Sequence, residues 1–190
     1  MIVAPKSKLL KQRQGDAPTV VQILPAMIRG GVERGTVEMA DAIQKHGGRA
    51  IVISRGGPMV RHLDRLGATH YQLDVHTKNP FRWPQVRSRL KTILSREKAD
   101  LVHVRSRVPA WIALPAAAAL GIATVSTVHG RFTTLSALKR IYNRKLLKTD
   151  HVIAISNYVK DLITSQYVEV ESRLTVVHRG VDIDLFNPDN

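Results

Sequence analysis

Hydrophobic and polar positions alternate along this chain in two periods, one typical of buried strands and the other of amphipathic helices. Short runs rich in Val, Ile and Leu predict strands at 19–25, 50–54, 69–73, 100–104, 123–128, 151–155 and 174–177. Apolar residues spaced three or four positions apart predict helices near 33–46, 58–66, 82–97, 108–120, 135–148 and 156–166. This alternation predicts an α/β fold, a doubly wound, Rossmann-like parallel sheet of about seven strands with helices on both faces.

Residues at the ends of these segments support the same fold. Gly47 and Gly48 follow the first predicted helix and Gly121 follows the fourth, where glycine commonly caps a helix. The segments 51–53, 101–104 and 152–155 are almost entirely apolar. Parallel strands that are covered on both faces have this composition, so these segments are predicted to lie inside the sheet.

Composition excludes several classes of protein. The 190 residues suffice for one domain with a sizeable core. The chain has no cysteine, which excludes disulfides, thiolate catalysis and cysteine-bound metal sites. It has neither an apolar run of about 18 residues nor the core of a signal peptide, and we therefore expect a cytoplasmic location.

The pattern divides the chain into three expected parts. Residues 1–17 are predicted to be a flexible basic leader, and residues 18–178 the Rossmann-like domain. Residues 179–190 end in a polar Asn-Pro-Asp-Asn stretch that resembles the start of an interdomain linker. We therefore expect a second domain that this chain does not include.

A large excess of positive charge predicts an anionic partner. The chain has 29 Lys and Arg against 15 Asp and Glu, a formal net charge of +14. One predicted helix alternates basic and apolar residues, and its cations are Lys139, Arg140, Arg144, Lys145 and Lys148. Such a helix either lies on an anionic membrane surface or packs through its apolar residues and exposes a basic face to water.

A pair of glycines stands between the first strand and the first helix. Gly30 and Gly31 allow positive φ and a close approach of a ligand to the backbone, while the free N–H groups of the helix favour an anion. No Gly-Lys-Ser/Thr follows, so the segment is not a P-loop, and the spacing is not that of Gly-x-Gly-x-x-Gly. From its local sequence the loop either holds a phosphate-bearing or otherwise polar substrate or is a common structural turn between a strand and a helix.

Polar residues also follow the other strands, and ligands of open α/β sheets bind beyond the carboxyl ends of strands. The candidate substrate-contacting residues are Gly30, Gly31, Arg105, Arg107, His129, Arg131 and Ser156. The three arginines have the alternative of being solvated surface charges. The seventh strand leads into 178–180, which adds another histidine, arginine and glycine to the same edge.

The remaining histidines have simpler interpretations. His103 lies within a strand and is predicted to be a hydrogen-bonded core residue. Four others have no ligand spacing and are predicted to lie on the surface: His46, His62, His70 and His76. There is no His-Glu-x-x-His motif and no paired carboxylates, so we expect no metal site and no self-contained glycoside hydrolysis.

Five segments, in order, resemble motifs of the N-terminal domain of GT-B glycosyltransferases of family 4. These segments are 30–34, 100–105, 125–130, 154–159 and 178–188. The resemblance extends from about residue 19 to residue 188. Its most specific parts are the glycine loop and the Gly-Val-Asp…Phe-x-Pro tail.

The resemblance implies retaining transfer of a sugar from a nucleotide-sugar donor, with no metal or other cofactor. By analogy, Gly30 and Gly31 contact phosphate or acceptor, and His129 is the catalytic-site residue that hydrogen-bonds the transferred sugar. Arg105 and Arg131 are implied as acceptor contacts. The residues that chiefly hold the donor belong to a second domain, so the isolated chain is expected to be inactive.

The family also implies an acceptor class and a location. Many members act on lipid-linked or phosphorylated acceptors at the cytoplasmic face of the membrane, in the synthesis of envelope polysaccharide or lipopolysaccharide. Two departures leave the acceptor open: Arg105 stands where His or Asn is common, and the tail has His178 and Arg179 where Pro-Asn is common.

Two alternatives remain at this stage. The domain could keep the fold and bind a glycan or lipid without chemistry. The positive charge also suggests a nucleic-acid-binding module, but aromatic residues are few and no helix-turn-helix, RRM or KH signature is present. We therefore expect no nucleic-acid partner.

Overall fold

The structure is a computed structural model that describes residues 17–130 and 136–180. Arg131, almost all of the predicted leader and most of the predicted linker lie outside the described residues. Within them, strands and helices alternate as the hydrophobic pattern predicts. No helix of the described part of the chain is long and apolar enough to cross a membrane.

All seven predicted strands are present and form one parallel sheet. They are β1 (Thr19–Ile23), β2 (Arg49–Ser54), β3 (Thr69–Gln72), β4 (Leu101–Val104), β5 (Ala123–Val128), β6 (His151–Ala154) and β7 (Leu174–Val176). Their order across the sheet is β3-β2-β1-β4-β5-β6-β7. The prediction of a Rossmann-like parallel sheet is therefore confirmed.

Six α-helices connect these strands in the described residues. They are α1 (Gly31–Lys45), α2 (Val60–Arg65), α3 (Trp83–Arg96), α4 (Arg107–Leu120), α5 (Ala137–Arg144) and α6 (Asn157–Thr164). Short 3₁₀ helices, Pro80–Arg82 and Val168–Arg173, precede α3 and β7. The helix predicted at 135–148 is shorter than expected, because the chain turns after α5.

Glycine caps explain where two helices end. Gly47 and Gly121 follow α1 and α4 with φ of 77° and 67°, in the left-handed region that favours glycine. The amide of Gly121 donates to the carbonyl of Ala118 and satisfies one of the last acceptors of α4. The predicted C-terminal caps are confirmed.

The two faces of the sheet bury separate hydrophobic cores. Along β2, Ala50 and Val52 pack with residues of α1 and α2, whereas Ile51 and Ile53 belong to the core that includes residues of α3, α4 and α6. This alternation is the two-residue period of a strand. Helices therefore cover both faces, as predicted.

The register of the central strands identifies which side chains face α1. The Gln22 amide donates to the carbonyl of Thr36 in α1 at 3.0 Å. Gln22 is paired with His103 of β4, and the His103 ring contacts the hydroxyl of Thr127 in β5. These side chains therefore project on the α1 side of the sheet, towards the carboxyl ends of the strands.

Candidate functional site

The strand order creates a crevice at the centre of the sheet. β1 and β4 are neighbours, yet the chain runs outward from β1 to β2 and β3 before it returns to β4. The connections that follow β1 and β4 therefore leave in opposite directions, which is where open α/β sheets bind ligands. Gly30 and Gly31 follow β1, and Arg105 follows β4.

One of the two glycines of the loop adopts the positive φ that the sequence allows for. Gly30 has φ of 149° and precedes the first turn of α1 with no side-chain cap, whereas Gly31 has no positive φ. A methyl group at Gly31 would lie 2.9 Å from Nη1 of Arg179. The close approach that glycine permits at position 31 is thus to an arginine from beyond β7.

Arg105 is a buried cation at the floor of the crevice. The residue is 6% exposed, and its Nη1 donates to Oε1 of Gln22 at 2.9 Å. Its Nε is buried and has no hydrogen-bond partner among the described residues. Burial and the nearby Arg179 lower the pKa of Arg105 to about 10, against the opposing effect of Glu38, so the guanidinium stays charged at neutral pH.

Two histidines beside Arg105 are neutral. His103 is buried and its Nε2 lies 2.7 Å from the Thr127 hydroxyl, which confirms the predicted core histidine. Burial, Arg105 and His129 lower the pKa of His103 to about 3. Burial, Arg105 and Arg179 lower the pKa of the half-buried His129 to about 4. Its Nε2 is buried and has no partner among the described residues, so this nitrogen lacks a hydrogen bond there.

Two cavities meet at these side chains. Both are lined by Arg105, Thr127 and His129. The first, of about 360 Å³, lies between α1 and the strands and combines charged, polar and apolar residues: Gly35, Glu38, Met39, Ala42, His103, Ile153, Ile155 and 177–180. The second, of about 290 Å³, reaches the start of α4 and contacts α5: Val32, His76, 106–108, Gly130, Tyr142 and Leu146. One wall of polar groups therefore serves two adjoining spaces.

The structure brings together only some of the predicted site residues. Arg105 and His129 share both cavities, Arg107 lines the second, and Gly31 approaches the first through Arg179. Gly30 lines a separate cavity of about 710 Å³ beside α2. The Ser156 hydroxyl accepts a hydrogen bond from Val159 N at 3.2 Å, so it caps α6.

Two residues at the site were not selected from the sequence. Arg179 lies at the edge that the strand ends predict, but nothing local shows that it reaches back to α1. Of the four histidines predicted to lie on the surface, only His46 is exposed, and the prediction is wrong for the half-buried His62, His70 and His76. His76 lines the second cavity, and its Nδ1 has no partner among the described residues. Burial, followed by Arg55 and Lys78, lowers its pKa. No spacing in the sequence identifies His76 as a site residue, because its position depends on the conformation of the loop after β3.

The polar groups of the site suit an oxygen-rich, anionic ligand better than a metal ion. Arginine donates to phosphate and carboxylate, and a neutral imidazole bonds to hydroxyl groups. Across residues 17–130 and 136–180, no group of three His, Asp or Glu is placed to hold a metal ion. The described site therefore offers several hydrogen-bond donors to a ligand.

The low pKa of His103 predicts acid sensitivity. The unfolded chain takes up a proton at this residue below about pH 6.5, whereas the folded protein does so only near pH 3. The free energy of unfolding is therefore expected to fall by roughly 1 kcal/mol per pH unit from this residue as the pH drops through that window. Urea unfolding at a series of pH values should show a shallower dependence for His103→Gln than for the unaltered chain. The exposed His46, replaced in the same way, serves as the control, and an equal effect there would contradict the assignment.

Comparison with known proteins identifies the family. The sequence model of Glycosyltransferase Family 4 matches residues 29–185. A glycosyltransferase from Rickettsia africae, with a known crystal structure, is 36% identical over 92% of this chain and 46% of its own, with a TM-score of 0.81. HepE from Anabaena, solved in complex with UDP-glucose, is 16% identical over 90% of this chain and 47% of its own, with a TM-score of 0.71.

Spore coat protein SA from Bacillus subtilis is 22% identical over 162 residues, which cover 85% of this chain and 41% of that protein. The chain thus spans less than half the length of each of these three relatives. The family match includes the glycine loop, Arg105, His129 and Arg179. This chain belongs to Glycosyltransferase Family 4, and its sheet is a Rossmann-like half of a GT-B fold.

Proposed function

We propose that this chain forms the acceptor-side wall of a cleft in which a sugar moves from a nucleotide-sugar donor to an acceptor, with retention of configuration. The observation that carries the proposal is that His129 and the buried Arg105 lie together at the crevice, and that Nε2 of His129 has no partner among the described residues. Family membership supports glycosyl transfer. The complex of HepE with UDP-glucose supports a nucleotide sugar as the donor.

In this proposal His129 hydrogen-bonds a hydroxyl of the transferred sugar. Its pKa of about 4 keeps the ring neutral at physiological pH, so Nε2 either donates or accepts according to the tautomer. Its half-buried position removes part of the competition from water. The positive charge near the reacting phosphates comes from the uncapped start of α1, and the proposal requires no metal.

A second, donor-binding domain supplies the other wall in this proposal. The experiment compares the 190-residue chain with a protein in which a donor-binding domain follows it, using radiolabelled nucleotide sugars and lipid or glycan acceptors. We expect sugar transfer only from the two-domain protein. Transfer by the 190-residue chain alone would contradict the division of roles, and no transfer by either protein would contradict the proposed function.

The acceptor is proposed to be a lipid-linked or phosphorylated glycan of the cell envelope, reached at the cytoplasmic face of the membrane. The support is α5, which exposes Leu138 and Ile141 by 80% and 60% between its basic residues. Arg140 donates to the carbonyl of Gln166 at 2.7 Å, and Arg144 pairs with Glu169 at 2.7 Å. These contacts hold α5 to the domain while its apolar residues remain in solvent. An amphipathic basic helix of this kind suits an anionic membrane surface.

A further inference from the structure

Arg105 lacks the counter-charge that a buried cation requires. Its guanidinium donates to the neutral amide of Gln22, and no carboxylate of the described residues lies within ion-pair distance. Its Nε is buried without a partner in the same part of the chain, and the residue lines both cavities. A buried charge is costly unless a charged or hydrogen-bonding group meets it. The side chain is therefore prepared for a ligand.

A second guanidinium lies beside the first. A methyl group at Gly35 would lie 3.0 Å from Nη2 of Arg105 and 3.0 Å from Nη2 of Arg179. The two nitrogens are therefore within about 6 Å of each other, since each is 3.0 Å from that one point. Like charges at this separation repel, and an anion between them would remove the repulsion. The buried glycine on α1 leaves the space in which both groups fit.

The carboxylate of Glu38, close to both arginines, already pairs with two guanidinium groups, those of Arg179 and Arg34. Glu38 accepts from Nη2 of Arg179 at 3.1 Å with one oxygen and from Nε of Arg34 at 3.0 Å with the other. It approaches Arg105 closely enough to affect its pKa but not to pair with it. Glu38 therefore holds Arg179 in place and leaves Arg105 without a matching charge in the described residues.

We propose that Arg105 and Arg179 form an anion clamp that binds a phosphate or carboxylate group of the acceptor, and that Gly35 provides the space for it. The clamp selects an acidic acceptor over a neutral one. The inference rests on the proposed function, because the donor is assigned there to the other domain and this wall to the acceptor. The apolar side of the same cavity, with Met39 and Ile153, contacts the less polar part of that acceptor.

Gly35→Ala is the sharpest variant for testing the clamp. The added methyl group would press on the ends of two flexible side chains rather than on backbone, so the guanidiniums move and the fold is retained. Alanine inside a helix is also favoured over glycine. We expect an unchanged or higher melting temperature, together with at least about a 10-fold loss of affinity for the anionic ligand.

The measurement is titration of the 190-residue chain with glucose 6-phosphate, glucuronate, glucose and UDP. Calorimetry gives the affinities, and the NMR signal of the Arg105 Nε–H group reports contact at the clamp. We expect one or both acidic sugars to bind at least about 10-fold more tightly than glucose and to shift that signal. Arg89→Gln, on the exposed side of α3, is the control and should leave these affinities unchanged.

Three results would overturn the proposal. The first is no preference for either acidic sugar over glucose, and the second is an equal affinity of Gly35→Ala and the unaltered chain. The third is displacement of the acidic sugars by UDP with the same sensitivity to Gly35→Ala, which would assign the clamp to the donor diphosphate. Failure of sugar transfer with acidic-sugar binding retained would instead contradict only the proposed function, because the clamp would still bind its anion.

Discussion

Replacing His129 with alanine is expected to lower the rate of sugar transfer by roughly 10- to 100-fold in the two-domain protein. The variant leaves a hydroxyl of the transferred sugar unpaired in a partly dry site, which costs roughly 1–3 kcal/mol, and each 1.4 kcal/mol is about a factor of 10 in rate. The loss should appear mainly in kcat, since the sugar bears most of its changing charge in the transition state. Initial rates at saturating donor and acceptor measure it.

His129→Gln provides the graded comparison, because its amide retains a donor and an acceptor. We expect its rate to lie between those of the alanine variant and the unaltered protein. His46→Ala, at the exposed end of α1, is the control and should transfer sugar at the normal rate. A normal rate for His129→Ala would remove this residue from the mechanism.

Neutralising the basic residues of α5 is expected to weaken membrane binding by about 100-fold or more. Each Lys or Arg near an anionic surface contributes about 1 kcal/mol, so four replaced cations account for that loss. The variant changes Lys139, Arg140 and Arg144 of α5 and the adjoining Lys145 to Gln, and its melting temperature checks that the fold survives the loss of the Arg140 and Arg144 contacts. Its partitioning onto vesicles of phosphatidylglycerol and phosphatidylcholine is measured by sedimentation at low and moderate salt. Unchanged partitioning would contradict the membrane role.

A matched charge control separates α5 from the net charge of the chain. Four exposed cations distant from α5 in sequence, changed to Gln, remove the same charge: Arg61, Arg65, Arg89 and Lys98. We expect this control to bind vesicles more tightly than the α5 variant. Equal losses would mean that only the total charge matters.

The apolar residues of α5 allow an independent test of insertion. Leu138→Ser with Ile141→Ser removes two side chains that are exposed in the described structure, and burial of each in the interface is worth about 1.5–3 kcal/mol. We expect this variant to bind vesicles more weakly than the unaltered chain. The difference should persist at high salt, because the apolar contribution is not screened. Leu120→Ser, which changes a partly exposed residue at the end of α4, is the control.

Most of the secondary structure could be predicted because its causes are local. The apolar run around Ile51 and the glycines at 47 and 121 act through neighbouring residues, and each produced the expected strand or helix end. The exceptions lie at helix ends. The predicted helix at 135–148 continued its periodicity past Arg144, where the chain turns instead and still buries Leu146 and Leu147.

The site could be predicted only in outline. Parallel strands place all their carboxyl ends on one edge, so Arg105 and His129 were expected near that edge before their contacts were known. The roles of Ser156, Arg179 and His76 depend on neighbours distant in sequence or on loop conformation. Arg179 contacts Glu38, 141 residues earlier in the chain, and no local pattern encodes that contact.

The alternation of periods in the chain is sufficient to specify seven strands, their connecting helices and the edge where polar groups gather, because backbone periodicity repeats over a few residues. Folding then sets β4 beside β1, so that the glycine loop and Arg105 follow neighbouring strands. It also brings Arg179 to Gly35 and leaves Arg105 buried without a carboxylate partner among the described residues. These contacts depend on which elements, distant in sequence, pack against each other. The fold class therefore follows from the sequence pattern, whereas the anion-binding character of the crevice arises from packing.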